Sequence, residues 1–506
     1  MVMLVLGITG LTAALVPSPT GAATYEISTQ SDFEALKKIT FDGGDEILLK
    51  RGGSFNGFLS LERSDIRADK AIRVADFGSA DAPRPVIVAD VDGMGTVDIR
   101  DSGGWVIENL ELINKSEVRS QRYGIYVTAR DSGTHSHFII RNNLVHDVTG
   151  SNDTRDNGGI VFRVYGKATP TTFDDILIEG NEVRNIGGTG IRLKSSWEVD
   201  PDDPRDTEAG DPIGRHAMTN LIVRGNRVSN TSRNAIVISG ADAPLAEYNV
   251  MGPKIATETT GNSFYIFASD DAIVQYNEAF GNVGPASDKD RGGYDADWNS
   301  RNMIFRYNYS HDNNFAFSIM RRYIDGAHFH HNVSVNERFG FIRYGFQEHR
   351  NISNVIVSNN VFYSSEPDMQ MFMNFGELRE PIDTSFIDNI FIFAAGGASW
   401  GSEPTPERGN VFENNIIIGL DELGDYGVAV DPQFSDPGEG GTRIDMTAKE
   451  RLSGYKLCRG SPLIGGGREG DNVAVADFWG EKITSVNIGA YGGAGVDCES
   501  QSKAAR

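Results

Sequence analysis

The chain is a succession of short runs in which apolar and polar residues alternate, and each run ends at a turn that leads into another. Examples are FIIRN, ILIEGN, LIVRGN, IVQYN, IFRYN and VIVSNN. Alternation with a period of two predicts β-strands that bury one face. An asparagine ends these runs at intervals of 23 to 45 residues, which indicates a fixed unit with insertions of variable length. The pattern predicts an all-β solenoid, in which each coil buries its apolar face only against its neighbours.

The recurring asparagines mark the same bend of every coil. They are Asn109, Asn143, Asn181, Asn226, Asn249, Asn277, Asn308, Asn332, Asn360, Asn389 and Asn415. Asparagine tolerates left-handed backbone, and its amide bonds to nearby backbone groups. We therefore expect a single solenoid of about 11 or more coils, in which the stacked amides bond one another as an Asn ladder.

The start of the chain differs from the coils. Residues 1–23 have an apolar core and small residues before Ala23, which predicts a secretory signal peptide. Residues 24–104 are expected to form an N-terminal cap and the first coils. Within them SDFEALKK is a short helical pattern, and we expect this helix to cover the first open coil.

The segments at both ends of the coils carry a family resemblance. GDEILLKRGGSFNG near the start and DFWGEKITSVNIGAYGG near the end resemble the corresponding segments of secreted right-handed parallel β-helix proteins that act on polysaccharides. The resemblance implies a right-handed parallel β-helix over 105–440 and a closing segment over 441–506. Cys458 and Cys498 in that segment form either one disulfide or two separate thiols. Because fold alone does not fix function, the reaction has to be argued from the site.

Charge and missing motifs exclude several classes of protein. The net charge of −23 argues against nucleic acid and against an anionic membrane surface as partners. No zinc-ligand spacing, G-x-S-x-G elbow or phosphate-binding loop occurs in the sequence. We expect a secreted monomer whose partner is an extended anionic polysaccharide.

A second set of strand patterns lies between the asparagines, including YGIYVTA, GGIVFRV, TGIRLKS, NAIVIS and GGYDADW. Alternate residues of these strands point outwards. The predicted outward residues include Tyr126, Arg163, Arg192, Lys194, Ile236, Ile238, Tyr265, Asp295, Asp297, Arg322 and Tyr344, with Arg343 outward instead if its strand slips by one residue. The resemblance implies that this sheet forms the substrate cleft. Cations beside aromatic rings suit a sugar chain that carries carboxylates or sulfates, although a plain solvent-facing sheet remains an alternative.

The first candidate centre is basic. Arg163 and Lys194 are expected one coil apart, with Arg192 on the same strand as Lys194. Neighbouring positive charge favours a neutral lysine, which β-elimination of a uronate polymer needs as a base. The resemblance to pectate and alginate β-helix lyases, which use Lys or Arg on this sheet, implies such roles for Lys194 and Arg192. Trp197, in the insertion that follows, is predicted to stack on a sugar.

The second candidate centre is acidic. Asp295 and Asp297 share one strand face, so strand rise sets their carboxylates about 6 to 7 Å apart, near the lower bound for an inverting glycosidase. The same pair is a candidate Ca²⁺ site, or an ion-pair partner of Arg322 and Arg301. His311, at the end of the next strand, is a further candidate catalytic residue.

Three functions therefore remain open from the sequence. The first is a polysaccharide lyase that cleaves a uronate-containing chain through Lys194 and Arg192. The second is a glycoside hydrolase that uses Asp295 and Asp297 as acid and base. The third is a non-catalytic solenoid that binds glycans at a surface.

Overall fold

The structure, a computed structural model, is a right-handed parallel β-helix, as predicted. It describes residues 22–498 apart from 63–69, 154, 167, 196–216, 289, 321–323, 346–351, 374–380, 405, 439, 441–448 and 469–473. Most of the predicted signal peptide and the insertion with Trp197 therefore lie outside the described residues.

Each complete coil contributes one strand to each of three parallel sheets. Within the described ranges, the first sheet has 14 strands: Thr24–Ile27, Glu46–Lys50, Ile72–Phe77, Trp105–Glu108, Gly133–Arg141, Thr171–Glu179, Met218–Arg224, Leu245–Glu247, Ile273–Gln275, Ser300–Arg306, Ile324–His330, Ile352–Ser358, Thr384–Ile387 and Val411–Glu413. The second sheet, counted over the same residues, has 13: Ser54–Asn56, Val86–Ala89, Glu111–Asn114, Leu144–Val148, Glu182–Ile186, Arg227–Thr231, Val250–Met251, Glu278–Phe280, Tyr309–His311, Val333–Val335, Val361–Ser364, Ile390–Phe393 and Ile416–Ile418.

The third sheet carries the predicted cleft face. Among the described residues it has 11 strands: Leu59–Leu61, Gly95–Arg100, Tyr123–Arg130, Gly158–Tyr165, Thr189–Ser195, Ile236–Ser239, Phe264–Phe267, Gly292–Ala296, Phe315–Met320, Gly340–Gly345 and Gln370–Met373. Its inward side chains, such as Ile125, Ile160 and Ile191, belong to one apolar core that runs along the coils. Ile236 and Ile238, which we expected to face outwards, also lie in this core, because Val237 pairs with the outward Arg192 and Tyr265.

The Asn ladder is confirmed, with one change at its start. From Asn143 to Asn415 each side-chain amide donates to the Oδ1 of the next ladder asparagine at 2.9–3.1 Å. The left-handed residue is the one before each ladder asparagine, for example Tyr276 with φ 55°. Asn109 takes that bend position itself with φ 62°, so Leu110 occupies the ladder position of its coil.

The N-terminal end of the solenoid is covered by the chain itself. The α-helix Gln30–Ala35 and the 3₁₀ turn Leu36–Lys38 form the predicted cap helix, and the buried Phe33 stacks on Phe55 in the core. Short 3₁₀ segments also occur at Pro406–Arg408 and Lys449–Tyr455. None of the described helices has the length and apolar character needed to cross a membrane.

The C-terminal segment packs on the outer face of the second sheet. Phe434, Leu452 and Tyr455 share a second apolar cluster with sheet residues such as Tyr309 and Val333. Cys458 and Cys498 form the disulfide, with their Cα atoms 5.6 Å apart. The C-terminal segment therefore covers the outer face of the second sheet from the strand of Tyr309 onwards.

Candidate functional site

Strand register brings the predicted cleft residues into line on the third sheet. One position on successive strands is held by Tyr126, Val161, Arg192, Val237, Tyr265, Asp295, Ser318 and Arg343. The next outward position includes Thr128, Arg163 and Lys194. Neighbouring strands are about 4.8 Å apart, so Arg192 and Asp295, three strands apart, are separated by roughly 14 Å along the axis.

A cavity of about 310 Å³ opens on this face of the sheet. Five of the residues predicted from the sequence line it: Arg192, Lys194, Tyr265, Asp295 and Asp297. The basic and the acidic candidate centres therefore belong to one cavity, with the cations towards one end and the carboxylates towards the other.

The cavity wall contains residues that sequence reasoning missed. They are Arg155, Arg233, Asn234, Thr260, Gly261, Asn262, Asp290 and Trp298. All but Trp298 lie in the connections that lead into third-sheet strands, two to four residues before each strand begins. The sequence signal for the charged wall residues is thus their place just ahead of an outward-facing strand pattern. The prediction used only the strands and the connections after them.

The carboxylate end is built around Asp295. The Asn262 amide is fixed because its Oδ1 accepts from the Gly292 backbone N–H at 2.8 Å. Its Nδ2 is consequently directed at Asp295, to whose Oδ2 it donates at 2.5 Å. The Asp295 side chain is almost wholly covered, with the residue 2% exposed.

This burial changes the proton affinity of Asp295. Burial raises the pKa of Asp295 well above its usual range, and the negative charges of Asp297 and Asp290 raise it further. Arg343 and a hydrogen bond with Ser318 oppose this effect without cancelling it. Asp295, beside Asp297, therefore retains a proton to a higher pH than an ordinary aspartate.

Asp290 is held in a different way. Its Oδ1 accepts from Arg343 Nη1 at 3.0 Å, and its Oδ2 accepts from Thr260 Oγ1 at 3.0 Å. Arg343 is 3% exposed and reaches Asp290 past Ser318, a small residue on the strand between Asp295 and Arg343. Asp290 is the most exposed of the three carboxylates, with its side chain 38% accessible. The cavity thus combines a buried carboxyl group whose pKa is raised, Asp295, with a carboxylate that pairs with Arg343, Asp290.

The Lys194 amine at the other end is engaged by a carboxylate. Asp156 accepts from Lys194 Nζ at 3.3 Å and pairs with Arg163 Nη1 at 2.8 Å. Burial alone would raise the pKa of Asp156, but the charges of Lys194 and Arg163 outweigh it and the pKa is lowered. An ammonium ion held by a carboxylate is a poor base, which disfavours the role first expected of Lys194.

One side of the cavity is aromatic. The rings of Tyr265 and Phe267 stack with centroids 4.9 Å apart, and Trp298 packs against Phe267 at 5.1 Å. All three residues line the cavity. Aromatic faces of this kind suit the apolar faces of sugar rings.

Two predicted site residues lie elsewhere, and those predictions are wrong. Tyr344 is fully buried in the core, where its hydroxyl contacts Thr384, because its strand takes the register that turns Arg343 outwards. His311 is on the second sheet, 1% exposed, with Nε2 3.1 Å from Glu278 and Nδ1 2.7 Å from Asp312. Burial lowers the pKa of His311, but these two carboxylate contacts outweigh it and raise the pKa.

Other predicted residues lie beside the cavity or outside the described residues. Tyr126 and Arg163 are on the same sheet face but not in the lining, and Tyr126 is covered by its stacking on Tyr123. Trp197 and Arg322 fall outside the described residues. The cavity on the third sheet therefore brings together some, but not all, of the predicted site residues.

The Ca²⁺ hypothesis for Asp295 and Asp297 stays a prediction. Calcium takes six to eight oxygen ligands. Across the described ranges, no group of three or more His, Cys, Asp or Glu side chains is arranged to hold a metal ion.

Comparisons with known proteins point to one group. No family model matches the chain. The chain is 24% identical over 483 residues to a lacto-N-biosidase of Bifidobacterium longum subsp. longum, and the match covers 78% of this chain but 30% of that protein. Two crystal structures of GH136 lacto-N-biosidase from Eubacterium ramulus also match. The selenomethionine form has a TM-score of 0.55 and 19% identity, and the match covers 79% of this chain and 68% of that chain. The native form has a TM-score of 0.53 and 17% identity, and the match covers 81% of this chain and 67% of that chain.

These matches bear on the fold of the chain and not on its reaction. The chain spans less than a third of the length of the curated relative. At 17–19% identity the solved structures establish a shared β-helix fold and nothing further. The reaction therefore rests on the chemistry of the cavity.

Proposed function

We propose that the chain is a secreted glycoside hydrolase that cleaves a glycan in the cavity of the third sheet. One observation carries the proposal: three carboxylates, Asp290, Asp295 and Asp297, line a single cavity in different environments, with Asp295 buried and its pKa raised, and Asp290 paired with Arg343. Glycoside hydrolysis requires one protonated and one ionised carboxyl group on either side of the scissile bond. The name of the curated relative, a lacto-N-biosidase, supports hydrolysis over elimination.

The roles follow from the two environments. The Asp295–Asp297 pair retains a proton and donates it to the leaving glycosidic oxygen, and Asp297 is its more exposed member at 7% against 2%. Asp290, held by Arg343, is the second carboxylate, which attacks the anomeric carbon or activates the water that does so. The C–O bond breaks, and one water supplies a hydrogen to one fragment and a hydroxyl to the other. Tyr265, Phe267 and Trp298 hold the sugar rings by stacking.

A polysaccharide lyase is the second candidate, because Arg192 and Lys194 line the same cavity. In this alternative the cations neutralise a uronate carboxylate, and a base removes the proton next to it. The contact between Lys194 and Asp156 counts against Lys194 as that base.

A substrate panel tests the proposal. The purified protein is incubated with neutral oligosaccharides, sulfated oligosaccharides, pectate and alginate, and both new reducing ends and ultraviolet absorbance of unsaturated sugars are measured. We expect reducing ends without absorbance. Absorbance on pectate or alginate would establish the lyase instead, and no product from any substrate would favour a binding protein.

A further inference from the structure

The end of the cavity opposite the carboxylates is crowded with positive charge. Arg155, Arg192 and Arg233 all line it, together with Lys194. Arg192 projects from the sheet and is 6% exposed, while Arg155 and Arg233 belong to the connections that form the wall. Three guanidinium groups therefore meet at one end of a cavity in a chain whose net charge is −23.

Within the described residues, no carboxylate contacts the Arg233 side chain. Arg233 Nη2 donates to the Asn152 carbonyl at 2.9 Å, but its buried Nε has no hydrogen-bond partner among the residues the structure describes. Burial lowers the pKa of Arg233, and the positive charges of Arg155 and Arg192 lower it further. Asp156, the neighbouring carboxylate, contacts Lys194 and Arg163 instead.

The loops that carry these arginines are braced, so the charges are held together. Ser232 Oγ donates to Asn152 Oδ1 at 2.8 Å, which ties the connection before Ile236 to the one before Gly158. Asn152 Nδ2 in turn donates to Glu258 at 2.7 Å, and Glu258 pairs with Arg119. Holding like charges together costs free energy, which a bound anion would offset.

We propose that Arg155, Arg192 and Arg233 form a subsite for an anionic group, a carboxylate or a sulfate ester, carried by the sugar chain. The inference rests on the proposed function, because it names the substrate class of the same cavity. The three carboxylates at the far end repel such a group, so it can sit only at the arginine end. Arg192 and Asp295 lie three strands, or roughly 14 Å, apart, which places the charged sugar away from the bond that is cleaved.

The test measures binding and cleavage separately. Three otherwise matched oligosaccharides are titrated by calorimetry into the full-length Asp297→Asn variant, one neutral, one ending in glucuronate and one bearing a sulfate ester. We expect both anionic probes to bind more tightly than the neutral one. The tighter of the two identifies the group as planar carboxylate or tetrahedral sulfate.

Arginine variants then locate the effect. Arg155→Gln or Arg233→Gln should weaken binding of the tighter anionic probe by about 10- to 100-fold and leave neutral binding unchanged. Arg155 is exposed, so its variant is expected to fold even if Arg233→Gln does not. Arg227→Gln, on the coil of Arg233 but exposed on the second sheet, is the matched control and should change neither.

The outcomes separate the two proposals. Equal binding of neutral and anionic probes by the parent variant, or equal loss of both in Arg155→Gln, would overturn the subsite. Tight anionic binding by a wild-type protein that cleaves nothing in the panel would keep the subsite and reject the hydrolase. Cleavage without any preference for charged substrates would keep the hydrolase and reject the subsite.

Discussion

The Asn ladder and the outward row of the third sheet, the strand position that Arg192 and Asp295 share, each use one residue per coil. The residue type repeats along the ladder but varies along the row. Along the ladder the same residue repeats from Asn143 to Asn415, and each amide satisfies the next. Along the outward row the residue changes at every strand, from Arg192 through Val237 and Tyr265 to Asp295. The regular position holds the coils together, and the irregular position supplies the chemistry.

The comparison has a physical basis. A ladder asparagine is fully buried and every donor it carries has a partner, so other residues there would leave buried N–H groups unsatisfied. An outward position lies outside the apolar core, against the connecting loops or the cavity, so the core does not fix its residue type. Changes in the row should therefore affect activity most, and changes in the ladder should affect stability most.

The largest effect is expected from removing the proton donor. Asp297→Asn should lower kcat by about 100- to 10,000-fold, because a positioned acid or base contributes that much. Its unfolding midpoint in urea should stay close to that of the wild type. Asp368→Asn, an exposed position away from the cavity, is the control and should retain full activity. Full activity in Asp297→Asn would show that the proton comes from elsewhere.

A change in the ladder should lower the stability of the protein. Asn277→Ala removes the oxygen that accepts from both the backbone and the side chain of Asn249, at 2.9 Å each. Two buried donors lose their partner, so we expect a loss of about 2–5 kcal/mol in unfolding free energy, measured with urea. Asn56→Ala, at an exposed strand position, should change it little. A stable Asn277→Ala variant would mean that the ladder is dispensable.

Asp295→Asn should change how the unfolding free energy depends on pH. Because burial raises the pKa of Asp295 in the folded protein well above that of an ordinary aspartate, the folded protein keeps a proton that the unfolded chain has released. Stability therefore falls as pH rises between the two pKa values, by about 1.4 kcal/mol per pH unit. Asp295→Asn should remove this loss, so that the variant is more stable than the wild type at neutral pH and loses that advantage below the unfolded pKa. A constant difference across pH would contradict the raised pKa.

The smallest effect concerns the corrected strand register. Tyr344→Phe removes a hydroxyl that bonds inside the core, to the Ile382 carbonyl at 3.2 Å and to Thr384. We expect a loss of about 1 kcal/mol in stability and an unchanged KM. A raised KM with unchanged stability would restore Tyr344 to the cleft.

Much of this architecture was predictable because it is periodic. The repeated runs set the coils, and alternation placed Arg192, Lys194, Asp295 and Asp297 on one face. Tyr344 was misplaced because its strand, FGFIRYG, is apolar on both alternations, so the period does not choose a face.

The cavity wall was not predictable on the same grounds. Arg155, Arg233 and Asp290 lie in connections that have no period and differ in length between coils, so their positions depend on how the loops pack on one another. His311 was assigned to the cleft because the sequence gives strand order but not the angle between the second and third sheets. Periodicity therefore predicted the cavity residues on the strands but not those in the connections.

The most direct test of the central claim is cleavage in water enriched in oxygen-18, followed by mass spectrometry of the products from the best substrate of the panel. Hydrolysis in the carboxylate-lined cavity predicts fragments whose masses together exceed that of the substrate by one water, with one heavy oxygen at the new reducing end. Asp297→Asn should form these products far more slowly. Unlabelled fragments, one of them unsaturated, or labelled products formed at the wild-type rate by Asp297→Asn, would contradict the account.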